Sequence, residues 1–240
     1  MLPPFAELPE QAIHLPQTEA QFHAAHEALK RAEFLGFDTE SKPLFNAGQH
    51  DSGPHLVQLA TPQQAWLLQL HHPLALEITR DILGSPHILK LGFGLDNDRH
   101  SLPRRLQTEL RNIEDLDRHF KRLGYGSSVG VRAAVALVLG QSFRKSKRTT
   151  TSNWAASQLT AAQRRYAAND AHAPAVIQAA WMSWERKRAT GSTHTGRKPE
   201  SHRTLSPRRH EAPARDRARH SWPRTAMHRP ASLPTPVTPS

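Results

Sequence analysis

Phe34-Leu35-Gly36-Phe37-Asp38-Thr39-Glu40 is the stretch from which the fold is read. It is an apolar run that ends in two carboxylates. Phe34, Leu35 and Phe37 follow one another without a polar break, as in a strand buried on both faces. Asp38 and Glu40 lie two positions apart, so on an extended chain both side chains point to one side. Two carboxylates held together at the end of a buried strand repel each other, and a bound cation relieves the repulsion. An all-oxygen donor set suits Mg²⁺ or Mn²⁺. Alone, the stretch also fits a strand running into a polar turn with both acids in water; the remaining elements decide between the two.

Working outward, Ala12–Leu15 reads as a short edge strand. Thr18 with Gln21 makes a capping box, which predicts a helix to about Ala32 with Phe22, Ala25, Leu29 and Ala32 facing inward. Residues 41–55 carry Pro43, Gly48, Gly53 and Pro54 and read as a loop. Leu56–Ala60 and Ala65–Leu70 read as strands joined into a hairpin by the turn Thr61–Gln64. Leu74–Leu83 has helical spacing and stops at Gly84. His87–Leu91 is a short apolar strand that opens into Gly92-Phe93-Gly94 and Asp96-Asn97-Asp98. A helix from near Asp96 is expected to end at about Leu102, before Pro103. Leu110–Ile113 reads as a last strand. Helices follow over Asp115–Leu123, ended by Gly124, and over Val129–Leu139, ended by Gly140. Phe143–Trp154 is a basic polar loop, and Leu159 to about Arg188 is a long helix with Thr160 as its cap. The order predicts an α/β domain of about 185 residues, a mixed five- to six-stranded sheet flanked by helices.

Charge divides the chain. Residues before 186 hold 19 Lys/Arg against 18 Asp/Glu, and those from Arg186 onward hold 13 against 3. The basic excess therefore belongs to the tail and says nothing about the fold. In the tail, eight prolines from Pro199 to Pro239 interrupt an Arg, His, Ser and Thr background with few apolar residues. This predicts a disordered basic extension over 189–240, after a folded domain over 1–188. Such a tail would hold nucleic acid by counterion release without reading sequence.

There is no cysteine, which excludes disulfides and thiolate metal sites. The first residues lack a basic and apolar leader pattern, and no apolar run approaches 18 residues, so neither a secretory signal nor a membrane span is expected. A cytoplasmic location is the default expectation. Gly92-Phe93-Gly94 fails the dinucleotide fingerprint because Asn97 occupies the third glycine position. No P-loop, HExxH or Gly-x-Ser-x-Gly pattern occurs, and His71-His72 would face opposite sides of a strand.

Three acidic stations remain. The first is Asp38 with Glu40. The second is Asp98, on the helix after the strand His87–Leu91. The third is Asp170 in Tyr166-Ala167-Ala168-Asn169-Asp170-Ala171, where Tyr166 and Asp170 are four apart and share a helix face. The alanines around them allow that helix to lie close against a sheet or a substrate. Singly, Asp98 is a helix N-terminal acid, Asp170 a surface acid and Tyr166 an amphipathic core residue.

Together these stations resemble the 3′–5′ exonuclease domains of the DnaQ-like superfamily, which have an RNase H-like fold. The likeness is greatest to the RNase D and Werner-type branch with a tyrosine in the third motif (DEDDy). The first motif is Phe37-Asp38-Thr39-Glu40, the second runs from Lys90 through Gly92-Phe93-Gly94 to Asp98 with Leu102 after it, and the third is Tyr166 to Ala171. Leu56–Thr61 and Ser152-Asn153-Trp154, with Leu159 and Gln163, resemble the connecting segments. The resemblance covers about residues 12–185. Asp96 competes for the second-motif position, and the glycine spacing of similar proteins favours Asp98. His172 stands where similar proteins often have an aromatic residue.

The resemblance implies a metal-dependent 3′–5′ exonuclease releasing nucleoside monophosphates from a nucleic-acid 3′ end. Asp38, Glu40, Asp98 and Asp170 would hold two Mg²⁺ or Mn²⁺ ions, with hydroxide formation and leaving-oxygen stabilisation divided between them. Tyr166 would orient the attacking water, since an ordinary tyrosine is too weak an acid to serve as a base. Lys42, Arg144, Lys145, Lys147 and Arg148 are candidates for phosphate contacts. The alternative is a catalytically weak nucleic-acid-binding module that keeps the fold. DNA against RNA, strand preference and oligomeric state are not encoded in these motifs.

Overall fold

The structure is a computed structural model that describes residues 1–43, 53–125 and 129–189, with side chains to residue 183. Its strands are β1 (Ile13–His14), β2 (Phe34–Glu40), β3 (Leu56–Ala60), β4 (Ala65–Gln69), β5 (Leu89–Gly92) and β6 (Ile113–Asp115). Its helices are α1 (Glu19–Lys30), α2 (Pro73–Gly84), α3 (Asp96–Leu106), α4 (Leu116–Arg122), α5 (Val131–Leu139), α6 (Lys147–Thr150) and α7 (Ala161–Ala189). The strands form one six-stranded mixed sheet in the order β1-β4-β3-β2-β5-β6. The β2–β3 and β3–β4 pairs are antiparallel; β1–β4, β2–β5 and β5–β6 are parallel. The expected α/β architecture is present.

β2 is central, and its alternation assigns the two faces of the sheet. Leu35 and Phe37 join Phe22, Leu29, Leu59, Leu68, Ile82 and Leu102 in a core shared with α1, α2 and α3. The opposite face carries Gly36, Asp38 and Glu40, paired in register with Ala60, Gln58 and Leu56 of β3. That face is covered by α7, whose Ala167, Ala168 and Ala171 pack with Leu56, Leu67 and Trp154. The contact is very close: a Cβ on Gly36 would lie 1.8 Å from the Ala171 carbonyl oxygen. A helix face of alanines opposite a glycine brings the backbone of α7 down onto β2, and this sets Asp170 beside the acids at the strand end.

Local signals explain most boundaries. Thr18 caps α1 in a full capping box with Gln21. Thr160 accepts from the Gln163 N–H, while the Gln163 side chain accepts from the Thr160 N–H. Gly140 ends α5 in the left-handed region.

Four expectations are corrected. α3 does not stop before Pro103; it runs to Leu106, because buried Leu102 and Leu106 hold its last turn against the core. One backbone bond is lost to the proline, and the helix ends at Gln107, with φ of 50°. The last strand is Ile113–Asp115 rather than 110–113, because Asn112 has a φ of 51° and interrupts the extended chain. β5 begins at Leu89, two residues later than expected. The basic loop contains α6, capped by Ser146. Part of the expected loop (44–52) and the tail from residue 190 lie outside the described residues.

Among the described residues, no helix is long and apolar enough to cross a membrane. Lys90, fully buried on β5, sends its ammonium to the Ser85 carbonyl at 2.6 Å. Ser85 caps the C-terminus of α2, where a cation is favoured.

Candidate active site

Asp38 and Glu40 leave β2 on the face covered by α7, and Asp170 meets them from that helix. Burial raises the pKa of Asp38 to about 7, with the Asp170 charge adding to the effect. Burial raises Glu40 further, to about 9, with Asp38 and Asp170 as the next causes. Asp170 is also raised by burial, against the pull of Lys145. The cluster is thus short of positive charge, the condition that favours a cation.

Asp98, on the first turn of α3, reaches the site from the other face of the sheet. Burial raises its pKa, and the bond from Thr39 opposes that rise. Thr39 faces away from α7, and its Oγ1 donates to Asp98 Oδ1. The charge of Asp98 is still felt by both Asp38 and Glu40. Asp96 is excluded from the site, since it is exposed and pairs with Arg118 at 2.5 Å.

The positive charge present comes from the chain itself. Lys145 Nζ lies 2.9 Å from Asp170 Oδ2. It also stands 5.8 Å from the centroid of the Tyr166 ring. Tyr166 Oη shares a hydrogen bond of 2.8 Å with Thr150 Oγ1 at the end of α6. Burial, followed by the Asp170 charge, raises the pKa of the phenol. Among the described residues, no three acids or histidines stand in a ready-made ligand cage. Asp98 is drawn toward Thr39 and Asp170 toward Lys145.

Two clefts flank the acids. One, of about 520 Å³, is lined by Arg144, Lys145, Ser146, Arg165, Tyr166 and Asp170. The other, of about 600 Å³, is lined by Thr39, Ser41, Asn97, Asp98, His100 and Arg104. Of the predicted phosphate contacts, Lys145 is inside the site and Arg144 is exposed at its edge. Lys147 and Arg148 project from α6 and do not line this cleft, and Lys42 is exposed beyond the end of β2. His172 belongs to the packing: it is buried, its Nε2 meets the Pro62 carbonyl at 3.1 Å, and it lies against Phe5.

Thr39, Arg165, His100, Arg104 and Asn169 were not anticipated. Asn169 accepts from the Leu8 N–H at 3.2 Å, tying the N-terminal segment to α7. Thr39 and Asn169 had a sequence signal, their places inside the first and third motifs.

The profile of a family described as 3′–5′ exonuclease matches residues 13–180. The chain belongs to that family. It is 28% identical over 154 residues to the bifunctional 3′–5′ exonuclease/ATP-dependent helicase WRN of Mus musculus, covering 62% of this chain and 11% of that protein. This chain therefore spans only a small part of that relative's length. The solved exonuclease domain of Nibbler from Aedes aegypti aligns with a TM-score of 0.62 at 24% identity, over 77% of this chain and 92% of that one. Escherichia coli RNase D aligns with a TM-score of 0.59 at 21% identity, over 74% of this chain and 46% of that one. These structures share the fold.

Proposed function

We propose that this protein hydrolyses the terminal phosphodiester bond at nucleic-acid 3′ ends and releases nucleoside monophosphates. We assign it to the branch with a tyrosine in the third motif and its exonuclease domain to residues 1–188. The observation that carries the reading is the meeting of Asp38, Glu40 and Asp170 on one face of the sheet, with Tyr166 one turn before Asp170. Asp98 completes the set from α3.

The donor set fits Mg²⁺ or Mn²⁺: every group is a carboxylate, burial raises all four pKa values, and repulsion from the other acids adds to the rise at Asp38 and Glu40. Asp38, Glu40, Asp98 and Asp170 would hold two such ions. When bound, the ions supply the Lewis acidity that generates hydroxide and stabilises the leaving 3′ oxygen. The chain does the positioning. Thr39 fixes Asp98, and the close seat of α7 on β2 fixes Asp170. Tyr166 orients the attacking water through its hydroxyl and remains protonated at neutral pH. Lys145 and Arg144 take the phosphates of the entering strand, a role in which a mobile ammonium serves as a point charge. With the charge of Asp170 met by a cation, Lys145 would be free for that contact.

The test is an end-resolved digestion. A 5′-labelled oligonucleotide, DNA or RNA, should give a ladder shortened from the 3′ end, with nucleoside monophosphate as the product. Binding without shortening, by protein shown to be folded, would favour the weak binding module instead.

A further inference from the structure

Gln58 is fully buried in the middle of β3, and among the described residues neither its side-chain oxygen nor its nitrogen has a hydrogen-bond partner. Buried amides are normally bonded, so an amide with both ends unused calls for a physical reason. Its surroundings exclude most partners. Leu56 and Ala60 flank it on its own face of β3, and Leu67 is in register with it on β4. Ala167, Ala168 and Ala171 of α7 cover the same cluster. The remaining residue in register is Asp38 on β2. Opposed residues on one face of an antiparallel pair have Cβ atoms about 4.5–5.5 Å apart, within reach of a glutamine. In this structure Asp38 Oδ1 instead accepts from the Thr39 N–H at 2.9 Å.

We propose that Gln58 is the positioning residue for Asp38: its amide N–H donates to the Asp38 carboxylate and holds it in the orientation a divalent cation requires. Gln58 does not touch the substrate. It is the polar end of an otherwise apolar layer, placed where one carboxylate needs a fixed direction. Groups that orient metal-binding side chains typically change affinity by 10–100-fold when removed. The proposal rests on Asp38 being a cation ligand, as read above.

The experiment measures Mn²⁺ binding to the full-length protein by the paramagnetic resonance signal of free Mn²⁺. Wild type, Gln58→Met, Asp38→Asn and the double variant are compared, with thermal unfolding in EDTA. In EDTA, Gln58→Met should fold with a melting temperature no lower than wild type, because the amide it removes is unbonded in the metal-free protein. Its Mn²⁺ Kd should rise about tenfold, and kcat on a labelled oligonucleotide should fall while KM holds. In the Asp38→Asn background the same substitution should leave the Kd unchanged, because the carboxylate that Gln58 positions is gone. Should Gln58→Met fail to fold, Gln58→Asn, which keeps the amide but shortens its reach, carries the same expectation. A Kd equal to wild type, or an equal loss with and without Asp38, overturns the role of Gln58. Wild-type Mn²⁺ binding by Asp38→Asn alone would instead overturn the reading of Asp38 as a ligand.

Discussion

Lys145 Nζ stands 2.9 Å from Asp170 Oδ2, so an acid assigned to metal binding is already paired with a cation of the chain. The pair joins a loop to a helix and offsets part of the repulsion among three carboxylates. Lys145→Met should destabilise the metal-free protein by about 1–2 kcal/mol. The full cost of stranding a buried charge is larger, but Lys145 is about one-third exposed and water screens the pair. Urea unfolding in EDTA measures this, and saturating Mn²⁺ should recover most of the loss. Equal stability of variant and wild type in EDTA would show that the pair is not a source of stability.

Thr39 joins the first acidic station to the second through its bond to Asp98. Thr39→Val keeps the β-branched shape and removes only the donor. It should leave the fold intact and lower kcat about tenfold, the usual scale when a ligand loses its orienting bond. Thr39→Ser should retain most of the rate. A valine variant as fast as wild type would remove Thr39 from the site.

Gly36 is where sheet and helix touch. A Cβ there would meet Ala171 O at 1.8 Å and Ala175 N at 2.9 Å, both backbone atoms that no side-chain rotation can move. Gly36→Ala should therefore cost about 3 kcal/mol or more, read by denaturant unfolding. Where the protein still folds, activity should fall too, because Asp170 moves with α7.

Lys90 gives the pH dependence. Burial lowers its pKa from 10.5 to about 8. Between these values the unfolded chain binds more protons than the folded one, so stability rises with pH from about 8 to 10.5. Below pH 8 the protein carries the whole penalty of a buried ammonium. Lys90→Met should thus be more stable than wild type at pH 7 by about 1–3 kcal/mol, with the gain fading as pH approaches 10.5. A gain independent of pH would rule out burial of the charge as its cause.

What the sequence made legible was local. The apolar run of β2, its two acids on one face, and the Tyr166–Asp170 spacing follow from strand and helix periodicity. So do the caps at Thr18 and Thr160. What stayed hidden depends on tertiary packing. Leu56-Val57-Gln58-Leu59-Ala60 alternates as a half-solvated strand would, but α7 covers its second face and buries Gln58. Lys145 read as one member of a basic loop, and only the fold sets it against Asp170 and apart from Lys147 and Arg148. α3 passed Pro103 because two leucines on its inner face outweigh one missing backbone bond.

Carboxylates of this site, with divalent cations, are proposed to cut nucleic acid from its 3′ end. The decisive measurement incubates 3′- and 5′-labelled single-stranded DNA and RNA with wild type, Asp38→Ala and Asp170→Ala, each in Mg²⁺, Mn²⁺ and EDTA. Wild type should shorten the strand stepwise from the 3′ end in either metal, and the loss should be abolished in EDTA and in both folded variants. Degradation that persists unchanged in either variant would show that these carboxylates do not carry the reaction.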